Sequence, residues 1–499
     1  ADLVAALRGL AREPARLALA ERRALAHIGA LNLDAEIAAL PGLPRHHGAR
    51  PLSALDAFFA HAATPTVSQQ VGAVLLLDDE HPLGPPEQLA GRLAALITNR
   101  TSTLPMLRRR LDLRRDRRPR WLPVDDVDPA RHLRARTVGA AYGVPWSAAL
   151  QEFFGTPVPL DRPPWQLEVV HDADAGRTAL LAKMHHSLGD GLAVTATLIG
   201  LLSDREELPA PQHSVPSYLG PQPAAGWRIR TARARRVLRG LVSLATTALS
   251  APPGGPIRPS TAARDYAMVE LPAARVRATA RQHGVGTTAL LLALVGEALH
   301  RIDPAGTSAS GRLRAMVPQT TRAVRRPGSS DHYGDGSYRG NHTAAVAVEL
   351  PVGPMPVAWR VVAVAAELAR VERADQPAAA QIVINTLGRL PAPLHARLVR
   401  AMYRRRFFTL IASVLPGPRK AHYVQGVQVV SVFPVLPLAD GVGLGIGFLT
   451  WGDMVGVGVA TDTGLCPGAD RVANALRSAF DDVATDTSDA HRAPKPARE

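Results

Sequence analysis

With 499 residues, 46% of them hydrophobic and 20% charged, the chain can bury a large core and is neither disordered nor fibrous; its length suggests two or three domain-sized units. A formal charge of +15 raises nucleic acid as a partner, yet aromatic residues make up only 4% and no binding motif accompanies the arginine run RRRLDLRRDRRPRW from Arg108, so no nucleic acid is expected. Cys466, the one cysteine, rules out a disulfide within this sequence, fits a reducing cytoplasm and leaves no cysteine cluster for a metal.

In chain order, residues 1–50 interleave charged and apolar residues at helical spacing and lack the compact apolar core of a signal peptide, which predicts an amphipathic helical extension. Residues 51–208 read as an α/β unit. Ser53 in PLSALDAFFAH suits a helix N-cap; VGAVLLLDD from Val71, LEVVHD from Leu167 and ALLAKMH from Ala179 are strand-like, and PPEQLAGRLAALI from Pro85 is helical. Residues 209–264 form a connector rich in proline and small polar residues, containing a basic and then apolar helix from Trp227. That helix is either a membrane-surface element or one packed across both units.

Residues 265–484 repeat the α/β character, beginning with the strand YAMVEL from Tyr266. The apolar stretch TALLLALVGEAL from Thr288 is shorter than a bilayer span and contains Glu297, so it is expected as a buried helix. VQVVSVFPV, GVGLGIGFLTW and MVGVGVATD are expected as neighbouring strands, and the alternate glycines of GVGLGIG suggest close approach of a ligand or of backbone. The tail 485–499 is polar and expected to be disordered.

Residues 185–191 read HHSLGDG, the pattern HHxxxDG, between the strand at Ala179 and a helical segment from Leu192. Polar residues at a strand end can be satisfied by backbone alone, with Asp190-Gly191 making an ordinary turn. A strand, a polar turn and a helix is also a common way to present a reactive side chain at a cleft, and histidine is the side chain whose unperturbed pKa suits a base near neutrality.

HHxxxDG resembles the signature of the acyl-CoA-dependent acyltransferase superfamily, and four further segments resemble its bacterial wax ester synthase/diacylglycerol acyltransferase family. They are PLSALDAFFAH from Pro51, LDRPPWQLEVV from Leu160, GGPIRP from Gly254 and SVLPGP from Ser413, in the family's order. The resemblance spans about 51–483. It implies an α/β fold of two chloramphenicol-acetyltransferase-like subdomains packed as a pseudo-dimer around a central tunnel.

The same resemblance implies O-acyl transfer from acyl-CoA, a co-substrate and not a bound cofactor, to an alcohol or diacylglycerol. His186 would be the general base. His185 would shape the loop, Asp190 would pair with an arginine to hold it, and Gly191 would leave room beside the base for substrate. Substrate contacts are assigned to Trp165, Gly340, Asn341, Ser413, Pro416, Gly417, Arg419 and Lys420. Gln166, Thr288, Ala289 and Val414 stand where the family usually carries other polar residues.

These departures keep open a specialised-metabolite acceptor or a carrier-protein thioester donor. A non-catalytic lipid- or membrane-binding relative is a further alternative. The basic surface suits anionic headgroups or the phosphates of coenzyme A, with a cytoplasmic location, peripheral on the inner membrane face or on lipid inclusions. The sequence leaves the oligomeric state open.

Overall fold

The computed structural model describes residues 49–78, 84–114, 117–204, 238–246, 250, 258–303, 311–321 and 340–485. The expected N-terminal extension but for its last two residues, most of the connector, and the tail beyond residue 485 lie outside the described residues.

The first half runs β1 (Arg50–Pro51), α1 (Ala54–Ala62), β2 (Gln70–Leu77), α2 (Pro86–Thr101), β3 (Arg109–Asp112), β4 (Arg120–Pro123), β5 (Leu133–Val138), α3 (Trp146–Gly155), β6 (Trp165–Asp172), β7 (Arg177–His185) and α4 (Gly191–Leu202). The second runs β8 (Arg264–Pro272), α5 (Ala273–Gln282), α6 (Thr287–Ile302), β9 (Arg312–Thr320), β10 (Thr343–Pro351), α7 (Val357–Arg373), α8 (Gln376–Leu387) and α9 (Ala392–Met402). It continues with β11 (Leu410–Leu415), β12 (His422–Val424), β13 (Val427–Val435), β14 (Leu444–Trp451), β15 (Met454–Asp462) and α10 (Ala469–Thr485).

Two six-stranded mixed sheets carry the structure, in the orders β12-β13-β2-β7-β6-β5 and β10-β9-β11-β14-β15-β8. α2 packs on β5 and β6 of the first; α6 and α10 pack together over the second. α6 is buried along most of its length, as its apolar sequence requires, and no single described helix is long and apolar enough to cross a membrane. The arginine run from Arg108 supplies β3 and β4 of a small third sheet with β1, where alternation turns Leu111 and Trp121 inward.

One expectation needs correction. VQVVSVFPV does not lie beside the two glycine-rich strands: it forms β13, which crosses to pair antiparallel with β2 of the first sheet, Val432 opposite Leu75. The expected unit 265–484 therefore lends β12 and β13 to the unit 51–208. The alternate glycines serve this crossing. β13 packs against β14 and β15, and a Cβ at Gly456 or Gly458 would collide with the carbonyl oxygens of Val432 or Pro434. Along GVGLGIG, Gly445 and Gly447 leave space for Leu438, Leu436 and Pro434, so the close approach there is by side chains and backbone of the protein.

The candidate active site

β7 ends at His185, and a single 3-10 turn over His186–Leu188 leads into α4. Asp190 is the N-cap of that helix, one carboxylate oxygen accepting the Ala193 N–H at 3.0 Å and so satisfying a helix-end donor. Its other oxygen accepts the His342 N–H at 2.8 Å, and Gly189 bridges to Gly340. Asp190 thus ties the HHxxxDG loop to the chain entering β10, joining the two halves at the site. A Cβ on Gly191 would lie 2.7 Å from Leu415 Cδ1, so the missing side chain makes room for β11 as well as for the cavity.

His185 is buried. Its Nδ1 accepts the Ser187 N–H at 3.2 Å, and burial, with His186 beside it, holds its pKa down to about 3. It shapes the turn as a neutral ring.

His186 lies deep in the molecule with part of its ring open to a cavity. Its Nδ1 is 3.1 Å from Asn341 Oδ1. The Asn341 amide nitrogen donates to Asp56 Oδ1 and to the His186 carbonyl oxygen, each at 2.7 Å. Two acceptors at the amide nitrogen fix which end of Asn341 meets the ring, so the ring nitrogen facing Oδ1 carries the proton. Nε2 is then the basic lone pair. Phe59 lies parallel to the imidazole, ring centroids 3.6 Å apart and planes 8° from coincidence, setting its plane. Burial pulls the His186 pKa below the ordinary histidine value, against opposing contributions from its own backbone, Asp190 and Asn341.

Asp56 and Phe59 were not singled out by sequence, although both lie in PLSALDAFFAH. α1 carries both against the HHxxxDG turn, starting from the Ser53 cap whose hydroxyl accepts the Asp56 N–H at 3.1 Å. Burial raises the Asp56 pKa. The Ser187 hydroxyl donates to the Asp56 carbonyl at 2.8 Å, a second tie between helix and turn.

The cavity measures about 350 Å³ and is bounded by both halves, among others by Phe59, Leu75, Gly191 and Leu198 from the first and Thr288, Met316, Ser413 and Pro416 from the second. Of the predicted substrate contacts, Ser413 and Pro416 line it, and Asn341 orients the His186 ring. Gly340 adopts a positive φ of 71° before β10. Gly417 serves packing, since a Cβ there would strike the Thr450 carbonyl. Trp165 belongs to the core: fully buried, its indole N–H donates to the Leu107 carbonyl at 3.1 Å and its ring stacks on His132. Arg419 and Lys420 are exposed and do not line the cavity. Among the altered positions, Thr288 and Val414 line the cavity, Ala289 is core and Gln166 sits in β6 opposite Lys183.

A two-sheet α/β fold with a histidine aimed into a cavity between its halves defines the class. Residues 52–290 match the family model of the wax ester synthase/diacylglycerol acyltransferase catalytic domain, and residues 339–484 match that of the C-terminal domain of the same family. The chain belongs to this family and is an acyltransferase.

It is similar to a protein of Mycobacterium bovis named as a diacylglycerol O-acyltransferase, with 24% identity over 451 residues, 86% of this chain and 94% of that one. A Mycobacterium tuberculosis protein of the same description is 26% identical over 463 residues, 87% of this chain and 89% of that one. The fold is similar to that of the wax ester synthase/diacylglycerol acyltransferase from Marinobacter aquaeolei VT8, with a TM-score of 0.61 and 19% identity, covering 87% of this chain and 98% of that one. The first condensation domain of the CDA synthetase follows at a TM-score of 0.57 and 16% identity, covering 89% and 98%.

Proposed function

We propose that the protein transfers a fatty acyl group from acyl-CoA to the hydroxyl of a long-chain alcohol or diacylglycerol, with His186 as general base. The observation that carries this is the Asn341 clamp on Nδ1, which leaves the basic Nε2 to a largely apolar cavity. Nε2 takes the acceptor's hydroxyl proton as the oxygen attacks the thioester carbonyl. The tetrahedral intermediate then collapses, the C–S bond breaks, and the imidazolium returns its proton to the departing thiolate. A base in this role is worth about 10²- to 10⁴-fold, and placing both substrates beside it contributes further.

Support for the lipid acceptor comes from the relatives named as diacylglycerol O-acyltransferases and from the apolar lining. His186→Ala is expected to lower coenzyme A release from long-chain acyl-CoA with hexadecanol or diacylglycerol by at least that range, with the melting temperature preserved. Undiminished turnover in that variant would sink the assignment of the base. With substrates that partition into lipid, we place the protein in the cytoplasm at a membrane or lipid-inclusion surface, and fractionation of cells at low and high salt checks this.

A further inference from the structure

The cavity is unequal about His186. One arm follows α4 from its first residue to its last: Gly191, Val194, Thr195, Leu198, Ile199 and Leu202 face it, the single stripe that a helix presents to a groove. Val71, Ala73 and Leu75, alternate residues of β2, line it together with Gly72. From Gly191 to Leu202 the helix rises about 17 Å. The crossover strand adds a third wall. Val429 and Val432 both line the cavity, three residues apart, because the β13–β2 register slips between Val429 and Ser431.

The far end, where the chain leaves α4, is lined by the buried residues Ser203, His422 and Trp451, which are 3%, 3% and 4% exposed. The Trp451 ring lines it, its N–H donating to the Val429 carbonyl at 2.8 Å, with the His422 ring 5.2 Å away. The β12–β13 turn is tied to the chain leaving α4 by Asp204, whose carboxylate accepts the Gln425 and Gly426 N–H groups at 2.7 and 2.6 Å. Along the walls, the Thr195 hydroxyl is turned onto the Gly191 carbonyl at 2.8 Å. Most of the other polar lining comes from the second half, at Thr288, Gln319, Thr320, Thr343 and Ser413, while Ser203 and His422 line the end where the chain leaves α4.

We propose that the α4 arm holds one unbranched alkyl chain of a substrate and that Trp451, at its far end, sets the longest chain accepted. The proposal rests on the acyl-transfer reading, in which both the donor's acyl group and a long-chain alcohol carry such a chain. kcat/KM is measured for the full chain with saturated acyl-CoA esters of increasing length against one alcohol, and with alcohols of increasing length against one acyl-CoA.

In Trp451→Ala the optimum of one series is expected to move to longer chains, each methylene that finds room adding about fourfold, equivalent to about 0.8 kcal/mol. The series that moves identifies whose chain occupies the arm. Ala73→Leu, which projects into the arm from β2, is expected to move the same series to shorter chains and serves if Trp451→Ala does not fold. Unmoved optima in both series, in a variant that melts like the wild type, overturn the proposal and leave acyl transfer standing. Should the wild type turn over no pair, acyl transfer fails, and calorimetric titration with fatty acids of increasing length still decides the arm: a length cutoff that Trp451→Ala fails to extend overturns it.

Discussion

The two sheets are built alike and contribute differently. The first presents the reactive ring at the end of β7, where the chain must turn, and the second contributes the residue that tells that ring where its proton sits, at the start of β10. Asn341 and His186 are 155 residues apart, and Asn341 and Asp56 are 285 apart. The proposed base thus comes from one half and its orientation from the other. On that proposal, His186 is held ready only when the two halves are docked.

That division can be broken at several points. Short of removing His186 itself, the largest effect is expected from Asn341→Leu, which keeps the branched side-chain shape but lets the imidazole adopt either tautomer; kcat should fall about 10- to 100-fold with little change in KM. A drop in KM affinity with kcat intact would instead make Asn341 a substrate contact.

A subtler effect lies in the pH profile. As the proposed base, His186 has to be neutral, and burial lowers its pKa, so the acid limb of kcat/KM should fall below pH 6.5. In Asn341→Asp a carboxylate would favour the imidazolium and move that limb upward. The smallest effect is on stability: Asp190→Ala removes a helix cap and the tie to His342, and should cost about 1–2 kcal/mol in denaturant unfolding.

The same division explains what the sequence made legible. The turn HHSLGDG, its flanking strand and helix, and the capping position of Ser53 are encoded within short windows, and each stands where its pattern places it. Asp56 and Phe59 were hidden because nothing in an α-helical stripe distinguishes a carboxylate that meets a partner 285 residues later, or a ring that stacks on His186, from one in an ordinary core. Trp165 misled for another reason: LDRPPWQLEVV resembles a family segment, which suggested a substrate contact, yet the indole is consumed by His132 and the Leu107 carbonyl.

The crossover was illegible for a third reason. VQVVSVFPV has the same apolar, valine-rich composition as the strands after it, and composition does not say which sheet a strand joins. What differs is the spacing of glycine on β14 and β15, which records a backbone lying across them.

The crossing of β13 also governs the order in which the protein can be completed. Until the ribosome has released residue 435, β2 has one hydrogen-bonding edge bare, an apolar strand of the kind that pairs with other chains. The first half alone is therefore an aggregation-prone intermediate, and pairing over so long a loop is intrinsically slow. Cutting the chain at the connector would produce a fragment with an open sheet edge in place of an independent domain.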